Sequence, residues 1–287
     1  MVPLLRCRQK KKKDKTMEFE ATKPRQIAAL TIAGSDSGGN AGIQADTRAF
    51  HVFGLHACTV ITALTAQNPY GVRAVFTPDA AFVAQQLDAV LEEYDIAALK
   101  TGMLATAGII EVVAERLERY GTKKLVVDPV MISTSGVKLL EDDAVGAMRE
   151  KLLPLALLTT PNLPETETLL ERTVETKEAM EEAARDLRSR LGCAVLVKGG
   201  HRAGAEAEDV LCDAEGIKWY TTPFVKNPVS VHGTGCSLSA AIVASLACGR
   251  NLREAVAEGK TYVYDSILAG VYVGPRATVM GTPLRGE

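Results

Sequence analysis

Ile27–Gly54 reads IAALTIAGSDSGGNAGIQADTRAFHVFG, and the order of its parts decides the fold. Ile27 to Gly34 is a short apolar run ended by glycine, which suits a strand buried on both faces. Gly42 to Gly54 shows helical spacing through Ile43, Phe50 and Phe53, with Gly54 as the stop. Between them lies the glycine-rich turn Gly34-Ser-Asp-Ser-Gly-Gly-Asn-Ala-Gly42. A buried strand feeding a helix through such a turn is the first half of a βαβ unit.

The alternation continues outward. HACTVITALTAQ resumes strand character with its β-branched residues, Asp79 can cap a helix through Tyr94, and IAALKTGM is a strand and loop. A helix over about 106–120 leads into the strand KLVVDPV. A helix near 141–153 precedes LALLTTPN, and helices near 163–171 and 175–191 precede AVLVKGG. EDVLCD and IKWYTT read as a small antiparallel hairpin, followed by Ala-rich helices near 235–248 and 251–270. Strands alternating with amphipathic helices imply an α/β fold, a mostly parallel sheet covered on both faces. Right-handed crossovers then put the strand C-terminal ends on one edge, where open α/β sheets bind ligands. SDSGGN, TAQN, KTGM, DPVM, TPNLPE and KGGH all fall on that edge.

The 287 residues are enough for one large domain, and 47% apolar with 24% charged residues is ordinary globular composition. Residues 1–25 carry a balance of +6, reading as a solvated tail around KKKKDK, and the remainder carries −8. Residues 26–287 are read as a single domain, and Met17 offers an alternative start. The acidic body argues against nucleic acid as the main partner. No apolar run of 18 residues is present, and charge follows the short apolar start, the reverse of a signal peptide, so the expectation is a cytoplasmic protein with no membrane partner. The six cysteines form no CxxC pair and no histidine lies at zinc-ligand spacing, so reduced thiols are expected.

His232-Gly-Thr-Gly-Cys236 carries the sharpest chemistry. Gly233 and Gly235 let successive N–H groups converge, and the helix that follows adds its positive end, which suits a phosphate in transfer. The same setting is expected to lower the pKa of Cys236. A packed helix start is the alternative. Asp128 follows an apolar strand, so its carboxylate sits at the sheet edge. Glu165 lies three residues after Asn162, the spacing of a capping box, and a metal or phosphate role competes with that reading. Two carboxylates beside an anion cradle suit Mg2+ held largely through water. Lys198 ends a buried strand and can reach phosphate oxygens or snorkel to the surface. The Gly34–Gly42 turn is neither GxGxxG nor a P-loop. It serves either as a turn with a helix cap or as close backbone approach to a ligand, with Asp36 offering a carboxylate. The Gln67 amide matches an aminopyrimidine edge, and Met103 suits the wall of a flat ring or the core.

In this order the clusters resemble the ribokinase-like superfamily, and within it the hydroxymethylpyrimidine/phosphomethylpyrimidine kinases of thiamine synthesis. The residues that carry the likeness are AGSDSGGNAGIQAD (33–46), VITALTAQN (60–68), KTGML (100–104), VVDPVM (126–131), TPNLPE (160–165), VKGGH (197–201) and HGTGCSLSAA (232–241). The resemblance spans roughly residues 26–265 and implies a three-layer α/β/α fold, ATP and Mg2+ as cofactors, and a homodimer. It implies that Gly34, Asp36, Ala41, Thr65, Gln67 and Met103 line a pyrimidine pocket. Lys198, Asn162 and Thr234 would face ATP, with Asp128 and Glu165 near the metal. Cys236, between the amides of the Gly233–Gly235 loop, would stand where most of the superfamily carries a catalytic aspartate, a position this subfamily usually fills with cysteine. The sequence departs from the family's GSDPSGGAGIQAD at Ser37–Asn40, in its last residues VYVGPRATVMGTPLRGE and in the basic start. A pyridoxal kinase on the same fold and a non-catalytic pyrimidine- or nucleotide-binding regulator are the competing readings.

Overall fold

The computed structural model describes residues 26–131, 139–200, 206–226 and 228–283. The basic segment 1–25, His201 of the VKGGH motif and the last four residues lie outside the described residues. Nine strands form one sheet: β1 (Ala28–Asp36), β2 (His56–Asn68), β3 (Gly71–Phe76), β4 (Ile96–Thr101), β5 (Leu125–Val127), β6 (Leu158–Thr159), β7 (Ala194–Lys198), β8 (Glu206–Asp213) and β9 (Gly216–Pro223). Their order is β3-β2-β1-β4-β5-β6-β7-β8-β9. The six strands from β2 to β7 pair in parallel, with antiparallel β3 on one edge and the β8–β9 hairpin on the other.

Two apolar layers sandwich the sheet, as the period of a strand requires. Leu30 and Ile32 of β1 pack on one face, Ala29 on the other. The first face is covered by α2 (Ala80–Leu91), α3 (Ala107–Arg119), α4 (Asp142–Ala147), α5 (Leu163–Leu170) and α6 (Lys177–Leu191). The second is covered by α1 (Gly42–Val52), α7 (Thr234–Ala247) and α8 (Leu252–Leu268). Helix α7 is buried without a break from Ser237 to Ala247, because its alanines and serines let it lie close to α1, α8 and the sheet. Among the described residues no helix is long and apolar enough to cross a membrane.

The structure departs from the sequence reading in three places. The helix expected near 141–153 is α-helical only to Ala147; a π turn over Met148–Leu152 and a 3-10 turn over Leu153–Leu155 complete it. Pro154 lacks the N–H that would continue the ladder. The hairpin read as small has eight residues in each arm and widens the main sheet through β7. GVRAVF, assigned no element from the sequence, is edge strand β3; its last four residues are exposed, so no apolar face announces it.

Candidate active site

The strand C-terminal ends open into a cleft of about 1040 Å³. Every loop expected on that edge reaches it, from Gly34 near the end of β1 to Lys198 at the end of β7. At its centre stands the start of α7. Gly233 caps this helix in the left-handed region at φ 89°, and no side chain bonds to the cap. A Cβ on Gly233 would come within 2.0 Å of the Asn40 carbonyl oxygen, so this position requires glycine on two counts. The contact locks the Gly34–Gly42 turn onto the HGTGC loop. The first amides of α7, without a capping side chain, face the cleft with the positive end of the helix behind them.

Beneath these amides lies an ion pair. Lys198 Nζ donates to Asp128 Oδ1 at 2.9 Å, and Thr160 Oγ1 donates to the same oxygen at 3.2 Å. Ser239 of α7 reaches Asp128 Oδ2 at 3.3 Å. Burial raises the Asp128 pKa, but Lys198 and Lys100 outweigh it and hold the carboxylate below its ordinary range. Lys198 is a cleft residue and not a snorkelling one; its side chain is 15% exposed, and its pKa is raised because Asp128 and Glu165 overcome its desolvation.

The capping-box reading of Glu165 holds in the structure. Its Oε2 accepts from the Asn162 N–H at 2.8 Å while Asn162 Oδ1 accepts from the Glu165 N–H at 2.9 Å, a complete capping box. Its carboxyl also lines the cleft, and burial pushes its pKa to about 7 against the pull of Lys198. Among the described residues no three His, Cys, Asp or Glu side chains cluster as a metal cage. The donor set fits Mg2+, which takes one or two protein carboxylates together with phosphates and water.

The opposite end of the cleft is built on Gly34, where a Cβ would lie 3.3 Å from Met103 Sδ. Ala41, Thr65 and Gln67 border the same space. Thr65 Oγ1 donates to the Ser35 carbonyl at 3.0 Å and lies 3.2 Å from Gln67 Oε1, while Gln67 Nε2 meets His232 Nε2 at 2.8 Å. His232 is bonded to Gln67 and lies 3.6 Å from Asp36. Asp36 corrects the expectation of a carboxylate offered to ligand. It is 3% exposed and accepts from the Gly38, Asn40 and Ala41 amides at 2.8–2.9 Å, so it ties the turn together. Burial alone would raise its pKa; His232 and the three amides bring it down to about 2.

Cys236 lines the cleft at the third position of α7, and its sulfur accepts from the Gly42 N–H. The expected lowering of its pKa is overturned. Burial pushes the thiol up to about 11, Lys100 opposes the rise, and Asp46 and Asp128 add to it. Desolvation outweighs the helix end here because the half-buried thiolate also feels two carboxylates.

Sequence reasoning passed over two more buried ion pairs. Lys100 Nζ donates to Asp46 Oδ1 at 2.9 Å with both side chains at zero exposure, and Thr31 donates to Asp46 Oδ2 at 2.6 Å. Lys260 of α8 donates to Asp209 Oδ2 at 2.6 Å, while Asp209 Oδ1 accepts from the Gly199 N–H at 3.0 Å. The readable signal was a lysine inside the apolar strand IAALKT and an aspartate on the inner face of an amphipathic helix.

A three-layer α/β/α sheet, with an uncapped glycine-led helix facing a buried Lys–Asp pair at the strand ends, defines a phosphotransferase of the ribokinase-like class. The chain belongs to the phosphomethylpyrimidine kinase family, whose model matches residues 36–280. It is 47% identical over 242 residues to the hydroxymethylpyrimidine/phosphomethylpyrimidine kinase of Rhizobium meliloti, covering 84% of this chain and 90% of that one. It is 44% identical over 241 residues to the thiamine biosynthesis bifunctional protein ThiED of Geobacter sulfurreducens, spanning 84% of this chain and about half (49%) of that longer protein. Among solved structures, the ADP complex of Bacillus subtilis pyridoxal kinase superposes with a TM-score of 0.83 at 33% identity, covering 91% of this chain and 98% of that one. The phosphomethylpyrimidine kinase of Clostridium difficile 630 superposes with 0.75 at 40% identity, covering 84% and 100%.

Proposed function

We propose that the protein transfers the γ-phosphoryl group of ATP to 4-amino-5-hydroxymethyl-2-methylpyrimidine and then to its monophosphate, toward thiamine. One observation carries the reading: a slot whose wall is Gly34 packed against Met103, edged by the Gln67 amide, opens onto the first turn of α7 and Lys198 in a single cleft. A flat ring in the slot presents its hydroxymethyl arm to Cys236, and the nucleotide phosphates lie over Gly233, Thr234 and Gly235 with Asn162 at their side. Positioning and fixed charge supply most of the catalysis in such a transfer.

Cys236, as thiolate, takes the hydroxyl proton while the oxygen bonds to the γ-phosphorus and the bond to the ADP oxygen breaks. The α7 amides and Lys198 meet the charge on the moving phosphoryl group. Asp128 and Glu165 are the residues that would hold Mg2+, which when bound neutralises phosphate charge. Because burial holds the thiol near 11, its ionised fraction rises about tenfold per pH unit below that value. kcat therefore climbs between pH 7 and 9, and a flat profile would reduce Cys236 to an orienting group. Folded Cys236→Ala loses about 100-fold or more in turnover; full turnover in that variant removes the base assignment.

The likeness to a pyridoxal kinase favours a second reading, phosphorylation of pyridoxal in the same slot. Coupled ADP release with the free alcohol, its monophosphate and pyridoxal separates the two. The pyrimidines turn over with the higher kcat/KM if the first reading holds, and ligand binding without ADP release would leave only a regulator. We also propose one kinase domain over residues 26–287, a cytoplasmic location and a homodimer. Exposed Val75 and Phe76 on edge strand β3, with exposed Leu64 of β2 opposite Phe76, support association of two copies, which sedimentation at micromolar concentration tests.

A further inference from the structure

Lys100 is a fully buried cation that the reaction as described does not use. It projects from the end of strand β4 and is held by Asp46 of α1. Gly42 and Asp46 lie four residues apart on α1, hence on one face, and the Gly42 N–H is the donor to Cys236 sulfur. The ammonium approaches the same space from the β4 side. A Cβ on Gly102, a residue of the cleft wall, would lie 3.6 Å from Lys100 Nζ. Strand β4, helix α1 and helix α7 thus converge on Cys236 with the Lys100–Asp46 pair behind it. The charged groups that act on Cys236 from these elements and from β5 and β7 are Lys100, Asp46, Asp128 and Lys198, and Lys100 is the largest of the stabilising influences on the thiolate.

We propose that Lys100, fixed by Asp46, is a positioning residue for the transfer, a permanent countercharge behind Cys236 that favours its thiolate form. The proton balance is unchanged. The hydroxyl proton passes to sulfur and later to solvent, and Lys100 keeps its own protons throughout. Asp46 serves to hold the ammonium in place, and Thr31 to hold Asp46. The inference rests on the reading of Cys236 as the group facing the hydroxyl.

The test uses the full chain. Alkylation of Cys236 by iodoacetamide is followed by mass spectrometry of its peptide from pH 7 to 10, without substrate, beside steady-state ADP release. Lys100→Met is expected to slow alkylation at each pH about tenfold and to lower kcat by a similar factor, with the KM for ATP and for the alcohol within threefold of the parent. Lys100→Arg, which keeps the charge, recovers part of both losses. If Lys100→Met does not fold, the pair variant Lys100→Met with Asp46→Leu removes both buried charges and is measured in its place, with losses in the same direction but smaller, because the carboxylate that opposes the thiolate goes with the ammonium. A folded variant with the alkylation profile and kcat of the parent overturns the proposal. A wild-type protein that releases no ADP with either pyrimidine overturns the functional reading instead, and leaves the alkylation result to decide whether Lys100 governs the thiol.

Discussion

Two Lys–Asp pairs stand side by side across β4 and β5, and they differ in what closes over them. Lys100–Asp46 is sealed, both side chains at zero exposure with Thr31 completing the carboxylate. Lys198–Asp128 has the same 2.9 Å separation, but its lysine remains 15% exposed and faces the cleft. A buried ion pair gains little net stability over an apolar pair, yet breaking it strands a charge. In the sealed pair a stranded charge has nowhere to go; in the open pair it can meet water or a phosphate. One arrangement therefore serves structure first, the other chemistry.

The largest effect that would break this contrast lies on the open side. Lys198→Met should lower kcat/KM by about 100- to 1,000-fold, the loss expected when one fixed group facing developing charge is removed. Its melting temperature should stay within a few degrees of the parent, because Asp128 keeps Thr160 and Ser239 as donors. A variant that unfolds while retaining turnover per folded molecule would place Lys198 on the structural side.

Asp46→Ala is the matching experiment on the sealed side. It leaves the Lys100 ammonium buried and unpaired, a cost of about 3–5 kcal/mol, so thermal unfolding should begin roughly 10 °C lower. Asp46→Ala together with Lys100→Met should recover most of that stability. If Asp46→Ala melts with the parent, water reaches Lys100 and the pair is not sealed.

The sequence disclosed the open side and hid the closed one, for a physical reason. Residues that meet a ligand sit at strand ends beside glycine and proline, where DPV, KGG and HGTGC interrupt the apolar pattern. Asp128, Lys198 and the α7 start were legible because they break the local rule. Lys100 and Asp46 meet inside regular elements, 54 positions apart, and the motif KTGM drew attention to its loop and away from its lysine. Parallel order and the shared ligand edge followed from alternation alone. Strand β3 did not, since an exposed edge strand needs no apolar face. The raised range of the Cys236 thiol was likewise invisible, because the helix end is a local feature and the burial that overrides it is assembled from α1, β4 and β5.

Asp36 sharpens the comparison with the smallest effect, as a buried carboxylate balanced by His232 and by amides. Against the burial that opposes it, His232 and then the amide donors of Ala41, Gly38 and Asn40 favour its charged form and lower its pKa from 3.8 to about 2. For a carboxylate depressed on folding, the stabilising contribution is complete above the unfolded value and is lost as pH falls through the folded one. The wild-type protein therefore loses this share of its stability between about pH 4 and pH 2. Asp36→Asn turns an amide donor toward backbone donors, so it should cost about 1 kcal/mol at pH 7 and flatten that acid limb. Because the turn also carries Gly34, Ala41 and Gly42, the KM for the alcohol should rise while the KM for ATP holds. Urea unfolding at pH 7 and at pH 3, run on both proteins, reads the difference. An equal acid slope in the two would mean that the amides hold the turn without the charge, leaving the lysine-paired carboxylates as the places where ionisation governs the fold near the cleft.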